Sequence, residues 1–498
     1  MAIKIIMLVI FFGVMIGVGV YCRKHATDVN GFVLGGRNVG PWLTAFAYGT
    51  SYFSAVIFIG YAGQFGWKFG LASTWIGLGN AFVGSLLAWN VLGRRTRTMS
   101  QHLESKTMPE FFGVRFDSQM LKILASLIVF VFLIPYTASL YNGLSRLFGM
   151  AFNLDYTVCI VVMAVLTGIY VIAGGYMATA INDFIQGCIM IIGIIAVIAS
   201  VLKSNGGFMQ AIDALARVED AQATSTPGAF ASFFGPDPFG LLCVVILTSL
   251  GTWGLPQMVQ KFYAIKDEKS IGKGTLISTI FAIIVAGGCY FLGGFGRLYD
   301  IDIAAQGYDA IIPAMIEKLS PFLIAVVVIL VLSASMSTLS SLVLASSSTL
   351  TLDMIRGTIV KEMTEKKQVF IMRIFIVVFI AISAVIAVVQ YKSGVTFIAQ
   401  LMGISWGALA GAFLAPFIYS LYWKGVTKAA VLVNFLFGSG IMVANMLARA
   451  SFPTILQSPI NCGAFAMLAG LLIVPVVSLI TPKLSDEKKQ AVFSCYEK

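Results

Sequence analysis

Long apolar runs fix the fold class of this 498-residue chain. Only 11% of its residues are charged, against about 25% in soluble domains, so a soluble fold is excluded. Runs of at least about 18 apolar residues cross a bilayer as helices, and the chain has thirteen of them. They lie near residues 4–21, 41–62, 71–92, 120–148, 155–174, 179–202, 238–264, 274–298, 321–352, 368–391, 395–422, 427–449 and 459–480. The sequence therefore predicts an all-α, multi-pass protein of the cell (inner or plasma) membrane with about 13 transmembrane helices.

The distribution of positive charge predicts the orientation. Of the 33 lysines and arginines, 24 lie in or beside the loops on one side of the predicted spans. Because cytoplasmic loops carry the excess of Lys and Arg, we expect the N-terminus outside and the C-terminus in the cytoplasm. Arg23 and Lys24 follow the first apolar run, so we predict an uncleaved helix there. The net charge of +11 is split among short loops, and no nucleic-acid partner is expected.

Residues for enzymatic chemistry are scarce. The only histidines, His25 and His102, fall in predicted cytoplasmic loops. The seven cysteines are scattered and form no C-x-x-C pair, and residues 272–275 lack the spacing of a phosphate-binding loop. We therefore predict that the chain is not an enzyme, which leaves transport driven by a gradient or passive conduction.

Two predicted spans are interrupted at corresponding positions. Residues 48–54 and 251–256 place glycine, serine or proline inside the second and seventh spans, where they weaken the helix and free backbone carbonyls. Five spans separate their starts, so the two spans run in opposite directions. This arrangement is typical of two inverted five-helix repeats whose broken helices form a midplane binding site. The alternative is a pair of ordinary kinks.

A hydroxyl-rich stripe lies in the ninth span. Residues 334–341 include five hydroxyls, and small or hydroxyl residues recur there at helical spacing along one face. By analogy with other hard cations, sodium is expected to prefer oxygen ligands. The proposed ligands are the backbone oxygens of Thr50, Phe53 and Ala334 with the hydroxyls of Ser337 and Thr338. Alternatively, the small residues serve close packing and each hydroxyl bonds to its own helix.

Asp183 lies at the start of the sixth span. An acid at membrane depth is a functional candidate, whereas an Asp in the first turn of a helix also caps it and interacts with its dipole. The position alone favours capping.

Four motifs together resemble the sodium/solute symporter family, whose members transport proline, pantothenate, sialic acid or galactose. The resemblance covers nearly the whole chain. The motifs are Gly35-Gly36-Arg37, the Gly-Gly-x(7)-Asp-x-x-Gln pattern ending at Asp183 and Gln186, Pro256, and residues 334–338. The resemblance implies a leucine-transporter-like 5+5 inverted repeat. We expect a first helix and inner loop at 1–38, repeat 1 at 39–203, an outer loop at 204–237, repeat 2 at 238–424, and two extra helices with a cytoplasmic tail at 425–498.

The resemblance also implies two sodium sites. The family's shared sodium site falls on Thr50, Phe53, Ala334, Ser337 and Thr338. A second site, known in some members, falls on Asp183, Ser337, Ser340 and Ser341.

The expected solute pocket differs from that of better-known members. Sugar transporters of the family have Glu-Gln after the first break, where this chain has Val56 and Ile57, which cannot hydrogen-bond a sugar ring. Proline symporters have an Asp aligned with Tyr52. The candidate solute residues, each of which also fits a packing role, are Tyr52, Ser54, Tyr136, Thr248, Trp253 and Gln400.

The sequence as a whole predicts a secondary active symporter in the lipid bilayer. It would couple inward sodium flow to uptake of a small organic solute, a carboxylate or an amino-acid-like compound, by alternating access. The alternatives are a proton-coupled transporter in which Asp183 titrates, and a channel or sensor that keeps the symporter fold.

Overall fold

The computed structural model of the protein describes residues 2–152, 155–356, 360, 362–393 and 398–497. Regular structure in these residues is helical, apart from two isolated β-bridges. The first residues of the predicted span 395–422 fall outside the described residues.

Within the described residues, twenty-two α-helices follow one another. Helices α1 to α7 are Ala2–Cys22, Val29–Leu34, Pro41–Tyr52, Ala62–Phe69, Thr74–Ala81, Arg94–His102 and Met108–Phe116. Helices α8 to α14 are Gln119–Phe152, Tyr156–Ser204, Phe208–Ala216, Pro238–Gly254, Pro256–Ala264, Glu268–Ala282 and Gly288–Gly293. Helices α15 to α22 are Ile303–Gln306, Ile311–Glu317, Pro321–Thr349, Glu365–Ser393, Ile398–Tyr422, Lys428–Leu447, Pro459–Ile480 and Asp486–Phe493. Several helices are joined or extended by π-helical segments at Val56–Tyr61, Phe82–Leu87, Trp89–Gly93, Ile283–Gly287 and Leu350–Ile355.

The number of membrane-crossing helices is lower than predicted when length and composition alone are counted. Ten described helices qualify, or eleven when the bent pair α11 and α12 is one span. The predicted span 41–62 is not counted separately, because α3 has only 12 residues and the half after the break is counted within Val56–His102. The described part of the span 155–174 yields only a short apolar helix, Tyr156–Ile169. The prediction of an all-α polytopic fold is confirmed, but the count of thirteen is not.

Two glycines interrupt helical runs that are too long for one crossing. Gly175 is the one non-helical residue inside the 49 residues of α9, which would extend about 74 Å as a straight helix. A bilayer core is only about 30 Å thick, so α9 contains more than one crossing. Gly175 has φ 57° and ψ −150°, and Gly70, which follows α4, has φ 61° and ψ −140°. Only glycine adopts this region readily, so both residues mark obligatory breaks.

Helices α17 and α19 form the centre of the molecule. Nearly every residue of α17 from Val327 to Thr349 is buried, and so is most of α19. A helix that is apolar on all sides is enclosed by other helices. By contrast, α1, α18, α20 and α21 expose large apolar side chains such as Val9, Val385, Leu436 and Leu472, as expected for helices that face lipid. The hydroxyl stripe of α17 is therefore inside the protein.

Both predicted helix breaks are present and have almost the same backbone geometry. Phe53, between α3 and the segment leading to α4, has φ −81° and ψ 119°. Leu255, between α11 and α12, has φ −84° and ψ 122°, and the two helices meet at 46°. A single extended residue thus interrupts each broken span.

Replacement of Gly175 by alanine tests the break in α9. A Cβ there would lie 2.9 Å from the backbone oxygen of Phe32, in a conformation that L-residues avoid. We expect Gly175→Ala to cost about 1–3 kcal/mol and to lower the melting temperature of the purified protein. Gly17→Ala is the matched control, because Gly17 has nothing within 4 Å of its Cβ position. Equal melting temperatures for the two variants would contradict the break.

Candidate ion and solute site

Five oxygen atoms from two helices converge at the break after α3. The hydroxyl of Ser337 lies 3.2 Å from the Thr50 carbonyl oxygen and 3.0 Å from that of Ala334. The hydroxyl of Thr338 lies 3.1 Å from the oxygens of both Thr50 and Ala334 and 3.2 Å from that of Phe53. All five residues are buried. The structure thus brings together every residue of the first predicted sodium site.

One hydroxyl cannot satisfy three carbonyls. The Thr338 hydroxyl has a single proton to donate, yet three backbone oxygens lie within hydrogen-bonding distance of it. Hard cations bind oxygens at about 2.3–2.6 Å, which places ligands at right angles about 3.3–3.7 Å apart. The observed separations are only slightly shorter. The donor set, which consists of neutral oxygens with spare lone pairs, fits a monovalent cation.

Ser335, which the sequence did not single out as a ligand, stabilises the other side of the break. Its hydroxyl accepts a hydrogen bond of 3.1 Å from the amide of Ala55, and the Ser54 hydroxyl accepts one of 3.2 Å from the amide of Val56. These amides begin the second half of the broken span and have no carbonyl of the preceding turn to bind. Helix α17 therefore supports both halves of the broken span.

Some residues of the second predicted sodium site are engaged in hydrogen bonds to other groups. The hydroxyl of Ser340 donates to the carbonyl of Ser337 on its own helix, and the Ser341 hydroxyl lies 2.8 Å from that of Ser51. Asp183 is fully buried, and neither of its carboxylate oxygens has a hydrogen-bond partner among the described residues. Asp183 lies well inside α9, so it does not cap that helix. A second sodium ion at this place stays a prediction.

A buried lysine lies in the same region and was missed by the sequence reasoning. Lys261 in α12 is 1% exposed, and its Nζ donates a hydrogen bond of 3.0 Å to the Ser341 hydroxyl. The sequence contained a signal for Lys261, because an ionisable residue inside an apolar span is a functional candidate.

Three candidate solute residues gather at the break after α3. The hydroxyl of Tyr136 approaches the carbonyl of Tyr52 at 3.4 Å, and Ser54 follows at the break itself. Trp406 of α19, which was not predicted, packs edge-on against Tyr136 at 5.9 Å and lies 6.4 Å from the Tyr52 ring. A side chain at Gly251 would lie 3.1 Å from the Trp406 ring. Trp406 thus lies between the two broken spans.

The other three candidates are engaged elsewhere or lie apart. Thr248 donates to the carbonyl of Val244 on its own helix, and the Trp253 indole donates to the Val83 carbonyl at 3.0 Å. Both contacts are packing contacts between or within helices. Gln400 is half-buried near the start of α19. A solute role for these three residues stays a prediction.

Backbone contacts close one end of the broken spans. The amide of Val39, just before α3, donates to the Ala264 carbonyl at the end of α12, and the amide of Lys266 donates back to Val39. Arg37 reinforces this junction by donating to the Tyr263 carbonyl at 3.2 Å and to the Ser105 carbonyl at 2.6 Å. The end at which α3 begins is therefore sealed.

The fold and the oxygen cluster at a broken span together define a membrane transporter of the inverted-repeat class. A solved sodium-coupled sialic acid symporter has a TM-score of 0.74 to this chain, at 17% identity over 97% of this chain and 99% of that one. Mhp1, a nucleobase-cation-symport-1 family transporter, has a TM-score of 0.51, at 15% identity over 93% of this chain and 97% of its own. These likenesses confirm the leucine-transporter-like fold.

Sequence comparison gives the family. The profile of the sodium:solute symporter family matches residues 32–438, so the chain belongs to that family. Curated relatives include the osmoregulated proline transporter OpuE of Bacillus subtilis, 28% identical over 96% of this chain and 95% of its own length. Sodium/proline symporter 2 of Staphylococcus saprophyticus is 29% identical over 88% of this chain and 85% of its own. The sodium/proline symporter of Staphylococcus aureus is 28% identical over 98% of this chain and 93% of its own.

Family membership confirms the predicted class of activity. The chain is a sodium-coupled solute symporter and not an enzyme. Its multi-pass membrane character is confirmed as well.

Removal of a hydroxyl from the oxygen cluster tests the first sodium site. A hydrogen bond or ligand to a charged group contributes about 1.5–3 kcal/mol, which corresponds to about 10- to 100-fold in affinity. We expect Ser337→Ala or Thr338→Ala to raise the sodium concentration for half-maximal uptake by that factor. Ser348→Ala is the matched control, because the buried Ser348 hydroxyl bonds only to Ala345 of its own helix. An unchanged sodium requirement in both site variants would exclude the oxygen cluster as the sodium site.

Proposed function

We propose that sodium binds among Thr50, Phe53, Ala334, Ser337 and Thr338 and drives inward transport of a small amino-acid-like carboxylate. The observation that carries the proposal is the Thr338 hydroxyl, which lies within 3.2 Å of three carbonyl oxygens from two helices. A cation in this cluster would hold the broken span against α17. Sodium would thereby order the backbone that borders the solute site.

The helix ends at the break favour the binding of a cation and of a carboxylate. Helix α3 ends at Tyr52, and the carbonyl end of a helix carries a partial negative charge that attracts a cation. The half-helix that starts at Ala55 presents amides, and the amide end attracts an anionic group such as a carboxylate. A sodium ion and a carboxylate can therefore occupy neighbouring positions at one break.

The side chains near the break favour a small solute with an apolar part. Tyr52, Tyr136 and Trp406 provide aromatic surface, and Val56 is buried beside them. The Tyr52 hydroxyl, which lies close to Asn80, and the Trp406 indole nitrogen, which lies close to Tyr136, are buried donors. Both can donate to a carboxylate or carbonyl oxygen. An amino acid fits this chemistry, and proline is the solute in the names of the relatives.

Alternating access supplies the mechanism. We place the N-terminus outside and the C-terminus inside, with repeat 1 at 39–203 and repeat 2 at 238–424, on the charge bias and the paired breaks. The sealed end at Val39 and Ala264 is then the cytoplasmic gate, so the closed gate favours access from outside. Release of sodium and solute to the cytoplasm requires these contacts to open. Because binding is reciprocal, sodium should raise solute affinity as much as solute raises sodium affinity.

Uptake into proteoliposomes tests this function. The solute is first found by a thermal-shift screen of amino acids and small carboxylates, beginning with proline, with and without sodium. We expect the solute found to accumulate against its own gradient when sodium is high outside, and accumulation to stop when the gradient is dissipated. Uphill uptake driven by a proton gradient without sodium would establish the proton-coupled alternative, and purely downhill flux would establish a channel.

Loss of Arg37 tests the gate. Arg37→Ala removes hydrogen bonds to backbone carbonyls of two neighbouring segments, so the closed end should open more often. We expect faster exchange efflux of solute from preloaded liposomes and a lower solute affinity from the outside, because the outward-open population falls. Arg94→Ala is the control, since Arg94 makes an exposed ion pair with Glu268. Identical efflux in the two variants would contradict the gate.

A further inference from the structure

Two opposite charges are buried together next to the sodium cluster. Asp183 of α9 is fully buried and Lys261 of α12 is 1% exposed. The two side chains lie close enough for a long-range electrostatic interaction, but they form no direct ion pair in the described part of the chain. Buried ionised groups are rare unless they are paired, because the loss of hydration is costly. The two residues therefore have to be explained jointly.

The ammonium group of Lys261 lies where the second sodium ion would be expected. It donates to the hydroxyl of Ser341, one of the serines of that predicted site. It also lies 5.0 Å from the centre of the Tyr176 ring, within the range of a cation–π contact. One residue of the predicted second site, Ser341, thus already binds a positive charge.

We propose that the Lys261 ammonium takes the place of a second sodium ion, as a cation that remains attached to the protein. This inference rests on the proposed function, because it assumes that the oxygen cluster at Thr338 holds the transported sodium. A sodium ion added beside Asp183 would be repelled by the ammonium. The Asp183 carboxylate is balanced without one. The protein therefore transports a single sodium ion per solute molecule.

The lysine is also connected to the proposed sodium site. The Ser341 hydroxyl, which accepts from Lys261, lies 2.8 Å from the hydroxyl of Ser51. Ser51 is the next residue after Thr50, whose carbonyl belongs to the oxygen cluster. Lys261 thus links α12, the second half of one broken span, to α17 and to the end of α3. A tethered cation performs this structural task in every state of the transport cycle, whereas a bound ion would leave.

Counting bound sodium tests the proposal without requiring transport. The probe is radioactive sodium at saturating concentration on the purified full-length protein. We expect one ion on the wild type and two on Lys261→Met, because the neutral side chain leaves Asp183 and the serines free to bind sodium. The double variant Lys261→Met/Asp183→Asn should return to one ion. Lys269→Met, which removes an exposed lysine at the start of α13, should stay at one.

The outcomes separate this proposal from the proposed function. Two ions on the wild type, or one ion on a folded Lys261→Met variant, overturns the tethered cation. No ion on the wild type overturns the sodium site at the break, and a gain of one ion in Lys261→Met would still support the lysine's role. If Lys261→Met does not fold, Asp183→Asn alone decides the question. A count of one sodium ion on both the wild type and Asp183→Asn supports the tethered lysine. A fall from two ions on the wild type to one on Asp183→Asn refutes it.

Discussion

The carbonyl oxygens of Thr50 and Phe53 cannot be left without partners inside a membrane protein. The break at Phe53 takes them out of the helical hydrogen-bond pattern, and no water is available at this depth to replace it. Helix α17 places the hydroxyls of Ser337 and Thr338 against these two carbonyls, and each hydroxyl has one proton to donate and lone pairs left over. We propose that a cation binds among these oxygens. The position of the broken helix would then depend on sodium, which would couple sodium binding to a solute bound at the same break.

Enclosure of α17 is what makes this arrangement specific. Because neighbouring helices surround α17 from Val327 to Thr349, each polar group in this range must find a partner within the protein. Three serines therefore bond to different neighbours. The Ser335 hydroxyl accepts from the amide of Ala55, and the Ser337 hydroxyl donates to the Thr50 carbonyl. The Ser341 hydroxyl accepts from the ammonium group of Lys261. In our proposal, one stripe of hydroxyls serves an exchangeable cation and a covalently attached one.

Much of this account could be predicted from the sequence, for physical reasons. Apolar runs identify bilayer-crossing helices, and the positions of glycine and proline mark the breaks, because both effects are local. The pairing of the break with Thr338 follows from the family motifs. The rotation of α11 about its axis depends on packing against distant helices, so the hydrogen bonds of Thr248 and Trp253 to the carbonyls of Val244 and Val83 could not be predicted. The role of Trp406 depends on the same long-range packing. The sequence shows Lys261 as a charged residue within an apolar span, but it does not show that the hydrogen-bond partner of Lys261 is Ser341.

The most direct test of the central claim is to locate the bound cation. Thallium(I) is a heavy monovalent cation whose anomalous scattering can be seen in crystals of the protein. The account predicts one strong peak among the oxygens of Thr50, Phe53, Ala334, Ser337 and Thr338, which excess sodium abolishes. A structure with no peak in this cluster, or with the sodium-sensitive peak elsewhere, would contradict it.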